Sequence, residues 1–169
     1  MGEFRFYHLE RRRIDQALPD ILEEGLGQGL RAVVQAPSSE QVEALSERLW
    51  TYSDESFLPH GSARDGDPHA QPVYLTDGDD NPNGAALRVL LSGVGCGPFL
   101  DGTAYERVIL LFEGRDEEAK AEARRQWSLA KTAGAALSYW REGDDGRWEK
   151  GQCHVDGLVI RCDGSMRNW

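Results

Sequence analysis

Three cations and an indole share one face of a predicted helix and form the clearest candidate binding site of the chain. Lys120, Arg124, Trp127 and Lys131 recur at intervals of three or four residues. At about 100° per residue these positions fall in a stripe roughly 60° wide. Ammonium and guanidinium groups around an aromatic ring suit an acidic ligand that also carries an aromatic or apolar group.

The same pattern also fits an ordinary solvated helix face. Glu117 with Lys120, and Glu122 with Arg125, are three residues apart and can form helical ion pairs. A tryptophan beside such a face commonly covers a hydrophobic core. Periodicity alone favours this second interpretation, and the charge of the whole chain favours the first.

The chain is acidic overall, which makes a local basic stripe selective. Its 169 residues include 29 acidic and 19 basic side chains, for a net charge of −10 and a pI of about 4.8. Such a chain repels nucleic acids and anionic membranes, so we predict neither tight direct nucleic-acid binding nor membrane association. The stripe can then receive a short acidic peptide without attracting DNA in general.

The stripe belongs to a strand–helix unit. The unbroken apolar run 108–112 predicts a buried central strand. Acidic residues 116–118 suit the positive start of a helix, and Gly134 suits a left-handed residue that ends it. Small side chains predict a second face that lies close on the sheet: Ala119, Ala123, Ala130 and Ala133.

The segments before this unit alternate between strand and helix patterns. We predict strands at 4–9 and 30–36, and helices from Ile14 to Leu26 and after Pro37 as far as Trp50. Pro19 is expected in the first turn of the regular part of its helix, with 15–18 as a looser lead-in. The order predicts an α/β fold with an open, mostly parallel but mixed sheet and helices on both faces.

The remaining segments predict further strands of one domain, followed by a C-terminal extension. Strands at 73–76 and 87–91 are expected to form a hairpin, after a polar and mobile connection at 61–72. A last strand is expected at 135–141, with Trp148 closing an edge. Residues 1–150 then form the α/β domain, and 151–169 form either an appended strand or a poorly ordered tail.

An alternative function is a nucleotide-binding α/β enzyme that uses the glycines from Gly93 to Gly97. This turn follows a strand, but Pro98 comes at once and no long helix begins there to supply amides and a dipole. The first β–α turn, where a dinucleotide fingerprint belongs, contains no glycine. We therefore predict no catalytic residues.

Cysteine usage and the N-terminus indicate a cytoplasmic protein without cofactors. The three cysteines are odd in number and scattered, which favours a reducing compartment. Cys153, His154 and Cys162 lack paired spacing and a clear fourth ligand, so no metal is predicted. Glu3 and Arg5 inside the first apolar segment exclude a signal peptide, and no apolar run reaches the length of a membrane span.

Several motifs together resemble the chi subunit family of bacterial DNA polymerase III. The most specific is Leu49-Trp50 followed by Glu-Ser-Phe-Leu-Pro-His-Gly at 55–61. Further matches are Phe-Tyr-His-Leu at 6–9, Pro72-Val73, and the predicted helix with its cationic stripe and Ala133-Gly134. The resemblance extends from about Phe4 to Trp148.

The resemblance implies a Rossmann-like sheet without a phosphate loop and a non-catalytic accessory subunit associated with the clamp loader. It also implies binding of the acidic, Pro-Phe-ended C-terminal tail of the single-stranded-DNA-binding protein. Lys120, Arg124 and Trp127 match the tail-binding helix. Ser128 stands where the family has a basic residue, and Lys131, or Arg125 if the helix is rotated, is expected to compensate.

The resemblance further implies a second partner, the psi subunit. The region that would contact it corresponds to Phe57, Leu58, Pro59 and His60. A purely structural role for Phe57 and Leu58, as a plug of the core beneath Trp50, is an equally good interpretation.

Overall fold

The computed structural model describes residues 3–51, 59–62, 65–100, 105–143, 148–150, 153–155 and 158–160. The strands are β1 (Glu3–Leu9), β2 (Ala32–Gln35), β3 (His60–Ser62), β4 (Val73–Thr76), β5 (Leu87–Leu91), β6 (Arg107–Glu113), β7 (Ala136–Glu142), β8 (Trp148–Lys150), β9 (Cys153–Val155) and β10 (Leu158–Ile160). The helices are α1 (Ile14–Gly27), α2 (Ser39–Thr51) and α3 (Glu117–Thr132).

Eight of the strands form an open sheet in the order β3-β4-β2-β5-β6-β1-β7-β8. Neighbouring strands are parallel except β7 and β8, which are antiparallel. The unbroken apolar run of β6 fits this arrangement, because a central parallel strand is covered on both faces. The predicted α/β class with a mostly parallel, mixed sheet is confirmed.

Helices cover both faces of the sheet and create two main hydrophobic cores. Alternate residues of the central strands pack against α1 and α2 on one face. The other residues of β1, β6 and β7 pack against α3. Residues Ala123 and Ala130 of α3 are 2% and 0% exposed, which confirms the middle of the predicted small-residue face.

The predicted hairpin of the strands at 73–76 and 87–91 is wrong. β2 lies between β4 and β5 and pairs in parallel with both. All four residues of β2 are buried, so this strand needs a partner on each side. The turn-rich segment 77–86 crosses over β2 and returns the chain to the opposite end of the sheet, so that β5 runs in the same direction as β4. Its Ala85 packs in a small cluster with Val33 and Tyr74.

Two local predictions are also corrected. Pro19 lies inside α1 rather than in its first turn, because the helix already begins at Ile14 and residues 15–18 are helical. The connection at 61–72 is not a plain mobile loop. It contributes to β3, which pairs in parallel with β4.

The C-terminal part carries two short antiparallel pairings. Trp148 lies in β8, which pairs with β7 and closes that edge as predicted. β9 and β10 pair with each other in a separate two-stranded sheet. The division into residues 1–150 and 151–169 stays a prediction. None of the described helices is both long enough and apolar enough to cross a membrane.

Candidate functional site

α3 begins and ends as its sequence predicts. The Asp116 carboxylate caps the helix and accepts hydrogen bonds from the backbone amides of Glu118 at 2.9 Å and Ala119 at 3.2 Å. Gly134 follows the helix with a φ of +78°, a backbone conformation that favours glycine. α3 follows β6 after only a short turn, so its first turns lie near the carboxyl ends of the strands.

Trp127 is a core residue in this structure. The side chain is 7% exposed, and its indole packs edge-on against Phe6 with a centroid distance of 5.0 Å. Trp127 is buried because it lies only about 40° around the helix from Ala123, which packs against the sheet. The indole therefore cannot serve as an exposed anchor for a ligand on the cationic stripe.

The helical ion pairs considered from the sequence are both present. Lys120 Nζ lies 3.2 Å from Glu117 Oε1, and Arg125 Nε lies 2.9 Å from Glu122 Oε2. The Glu117 side chain is 82% exposed and that of Lys120 is 20% exposed. Such an exposed pair is weak, so a ligand carboxylate can replace Glu117 at small cost. Arg124, Ser128 and Lys131 are exposed.

His8 is a buried polar residue of β1, and its Cα partner on β7 is Arg141. His8 is 4% exposed at the end of β1, shares a hydrogen bond between Nδ1 and the Tyr139 hydroxyl, and stacks on Phe112 at 5.0 Å. Burial lowers the pKa of His8 to about 4, and the positive charges of Arg141, Lys120 and Arg124 add to this effect against Glu10. His8 is therefore neutral at pH 7, and cations of both α3 and β7 contribute to the positive potential at its ring.

Gly114 allows His8 to lie where it does. A Cβ atom at position 114 would stand 1.7 Å from His8 Nε2, and the Gly114 amide donates to the Leu9 carbonyl at 2.7 Å. Only a residue without a side chain permits this close approach. Neither His8 nor Tyr139 was predicted to be a site residue. The alternation of side chains along β7 could have placed Tyr139 and Arg141 on the side of the sheet that α3 covers.

The backbone amides of the β1–α1 turn are bonded by the protein's own side chains. Glu142 Oε1 accepts from the three amides of residues 10–12 at 2.7–3.3 Å. The side chains of Gln16 and Glu113 accept from the amides of residues 13–14 at 2.9 and 3.0 Å. Doubly wound domains bind phosphate at this turn, but here internal oxygens already occupy the donors.

The turn from Gly93 to Gly97 offers little to a phosphate either. It leads into one short 3₁₀ turn, Gly97–Phe99, and not into a long helix. The Cys96 amide inside it already donates to Gln126 Oε1 at 2.9 Å. The geometry therefore gives no support to the nucleotide-binding alternative.

An open cleft of about 720 Å³ lies between α1 and α2 at the carboxyl edge of the sheet. Its lining mixes charges of both signs, and Arg48 Nε pairs with Asp15 Oδ2 at 2.8 Å across it. Within the described parts of the chain, no three histidine, cysteine or acidic side chains are arranged to hold a metal ion. Cys153, His154 and Cys162 are outside the side chains that the structure describes.

The second predicted site is described only in part. Phe57 and Leu58 lie outside the described residues, and Pro59 is partly buried. His60 is 5% exposed, and its Nε2 lies 3.2 Å from the Ser46 carbonyl oxygen. The ring of Trp50 lies against that of His60 in a tilted arrangement, with a centroid distance of 4.5 Å, and Trp50 is 54% exposed. Trp50 thus presents a large apolar surface. The alternative prediction, in which Phe57 and Leu58 plug the core beneath Trp50, concerns residues outside the described part of the chain.

Comparisons with known proteins show the family of the chain. The family model described as DNA polymerase III chi subunit, HolC, matches residues 1–138. The probable DNA polymerase III subunit chi of Rickettsia prowazekii (strain Madrid E) is 33% identical over 108 residues, which make up 64% of this chain and 66% of that relative. The chain thus spans about two thirds of the length of this relative. Because the family model covers well over half of the sequence, the chain belongs to the DNA polymerase III chi subunit family.

Proposed function

We propose that the chain is a non-catalytic accessory subunit of the bacterial DNA polymerase III holoenzyme, associated with the clamp loader in the cytoplasm. In this role it holds the acidic C-terminal tail of the single-stranded-DNA-binding protein and links that protein to the replicase. The observation that carries the proposal is the cationic stripe of α3, with Arg124 and Lys131 exposed and Lys120 paired with the exposed Glu117, on a chain of net charge −10. A cationic spot on an acidic surface selects a short acidic segment.

The surface formed by α3 and the adjacent strand β7 is the proposed binding site of the tail. Carboxylates of the tail pair with Lys120 and Arg124, and Lys131 extends the cationic side where Ser128 contributes no charge. The apolar end of the tail contacts the partly buried Leu137, which packs against the same cluster as Trp127. Charged contacts of this kind are individually weak and sensitive to salt.

We expect Lys120→Ala and Arg124→Ala each to weaken binding of a synthetic acidic peptide ending in Pro-Phe roughly two- to fivefold at low salt. The dependence of affinity on salt concentration also becomes less steep, because one cation fewer takes part. Isothermal titration calorimetry at two salt concentrations measures both effects.

Arg125→Ala is the matched control, because Arg125 lies on the same helix, about 100° around it from Arg124 and about 120° from Lys131, in its own pair with Glu122. It should leave the affinity within error. Equal losses in all three variants would contradict a localised site. Trp127→Ala is unsuitable as the main test, since emptying a core position of this size costs about 3–5 kcal/mol in stability.

We propose that the surface around Trp50 and His60, together with Phe57, Leu58 and Pro59, contacts a second subunit of the psi type. The support is the exposed indole of Trp50 beside the predicted segment. Exposed tryptophans are frequent anchors of protein interfaces.

Trp50→Ala should abolish co-purification of this second subunit when both proteins are expressed together, while thermal stability stays nearly unchanged. Leu129→Ala removes a comparably exposed apolar side chain, 47% against 54%, and should retain the partner. Lys120→Ala should retain it as well. Retention of the partner by the Trp50 variant would exclude this surface.

A further inference from the structure

Arg141 lies next to His8 and faces the same side of the sheet as α3. The two residues are Cα partners in the parallel ladder of β1 and β7. Leu137 and Tyr139, at alternate positions of β7, pack in the core beneath α3. Since side chains alternate along a strand, Arg141 continues this row at the carboxyl end of the sheet.

Glu10 holds this guanidinium. Its Oε1 lies 2.6 Å from Arg141 Nη2, and the two side chains are 32% and 41% exposed. The position of Glu10 is fixed from below, because its backbone amide donates to Glu142 Oε1 at 3.3 Å. The chain thus keeps one of its own carboxylates at the rim of the surface that attracts acidic ligands.

We propose that Arg141 is a fourth cation of the acidic-peptide site, beside Lys120, Arg124 and Lys131, and that Glu10 is an internal competitor for it. A ligand carboxylate that reaches Arg141 displaces Glu10, in the same way as one that reaches Lys120 displaces Glu117. This inference rests on the proposed function and adds a specificity-determining pair on β1 and β7 to the stripe on α3.

Glu10 limits the affinity of the proposed site for acidic ligands. Glu10 repels an approaching carboxylate and neutralises Arg141, so binding includes the loss of one ion pair. Removal of the negative charge should strengthen binding, whereas nearly every other substitution at a binding site weakens it. The sign of the effect therefore separates this role from a merely structural one.

We expect Glu10→Gln to tighten binding of the acidic Pro-Phe-ended peptide about two- to fivefold at low salt, and Arg141→Ala to weaken it by a similar factor. Both effects should shrink at high salt because the groups are partly exposed. Calorimetric titration of the full chain gives the affinities, and thermal melts show whether each variant is folded.

Two controls make the test specific. Glu47→Gln changes the net charge equally but lies exposed on α2, on the opposite face of the sheet, and should leave the affinity unchanged. In the Arg141→Ala background, Glu10→Gln should have less effect than alone, because its target is gone. The proposal is overturned if Glu10→Gln behaves like Glu47→Gln, or if its effect is undiminished in that background. Loss of binding in Lys120→Ala would still support the proposed function in either case.

Discussion

Replacement of Arg88 by alanine is expected to lower the free energy of unfolding by about 4 kcal/mol. Arg88 lies in β5 and is 0% exposed. Its Nη1 donates to the Asp80 carbonyl and the Tyr105 hydroxyl, both at 3.0 Å, and its Nη2 donates to the Gly78 carbonyl at 2.6 Å and to Gln35 Oε1. The guanidinium also lies 4.3 Å from the ring centroid of Phe99.

No carboxylate balances this buried charge among the described residues, and neutral oxygens and aromatic faces hold it instead. Alanine would leave these acceptors unpaired and create a cavity. Arg88→Lys should be nearly as harmful, because one ammonium group cannot reproduce a planar fork with donors on two nitrogens. Urea unfolding followed by tryptophan fluorescence measures the losses.

Arg88→Met separates the hydrogen bonds from the volume of the side chain. Methionine fills much of the space and carries no donors. If the hydrogen bonds matter, Arg88→Met remains destabilised by at least about 2 kcal/mol. Wild-type stability of this variant would show that the packing of the stem, and not the network, maintains the site. Arg125→Ala, at an exposed ion pair, should change stability by less than about 1 kcal/mol.

Arg88 also illustrates what the sequence does not disclose. The apolar pattern of residues 87–91 correctly predicts a strand, but one arginine in it suggests a solvated face. Its partners come from three separate segments, around Gln35, around Asp80 and at Tyr105. A buried cation becomes plausible only when these segments are brought together.

Local patterns, in contrast, were predicted correctly because they depend only on residues that are close together in the sequence. The unit of β6 and α3 depends on an apolar run, a capping aspartate and a terminal glycine, which all act within a few residues of their position. β4 and β5, however, each pair with β2, which lies about forty residues upstream of β4. Turn residues between two strands could not reveal that a third strand separates them.

The candidate site contains local features, which the sequence predicts, and contacts between distant segments, which it does not. The cations of α3 follow from helical spacing, and so do their ion pairs with Glu117 and Glu122. The burial of Trp127 depends on how closely the helix lies on Phe6. The contribution of His8, Tyr139 and Arg141 depends on the adjacency of β1 and β7, whose residues are about 130 positions apart.

Replacement of Glu142 by alanine is expected to cost about 3–5 kcal/mol of stability. The Glu142 side chain is 1% exposed, and its two oxygens accept from the three amides of residues 10–12 and, at 2.6 Å, from Arg12 Nε. Alanine removes the carboxylate and leaves all these donors without an acceptor. Glu142→Gln retains the volume and one acceptor oxygen, so we expect a smaller loss of about 1–3 kcal/mol.

The charge of Glu142 makes part of this stability depend on pH. Burial is the largest single influence and raises the pKa of Glu142, but the hydrogen bonds from Arg12 and from the turn amides together outweigh it, so the pKa is lowered. An acid with a lowered pKa stabilises the folded state above its unfolded pKa of about 4.3 and loses this contribution as the pH falls through the folded pKa. The difference in stability between wild type and Glu142→Gln should therefore be constant near neutral pH and shrink below about pH 4.3.

His8 contributes to acid sensitivity in a different and higher range. Its pKa is lowered to about 4 by burial, so the unfolded chain takes up a proton near pH 6.5 that the folded protein accepts only near pH 4. Stability should therefore decline between pH 6.5 and pH 4 in wild type and in Glu142→Gln alike. Urea midpoints measured at intervals from pH 7 to about pH 3 resolve the two ranges. If the two proteins instead lose stability in parallel below about pH 4.3, the ionised carboxylate of Glu142 is not what holds the β1–α1 turn.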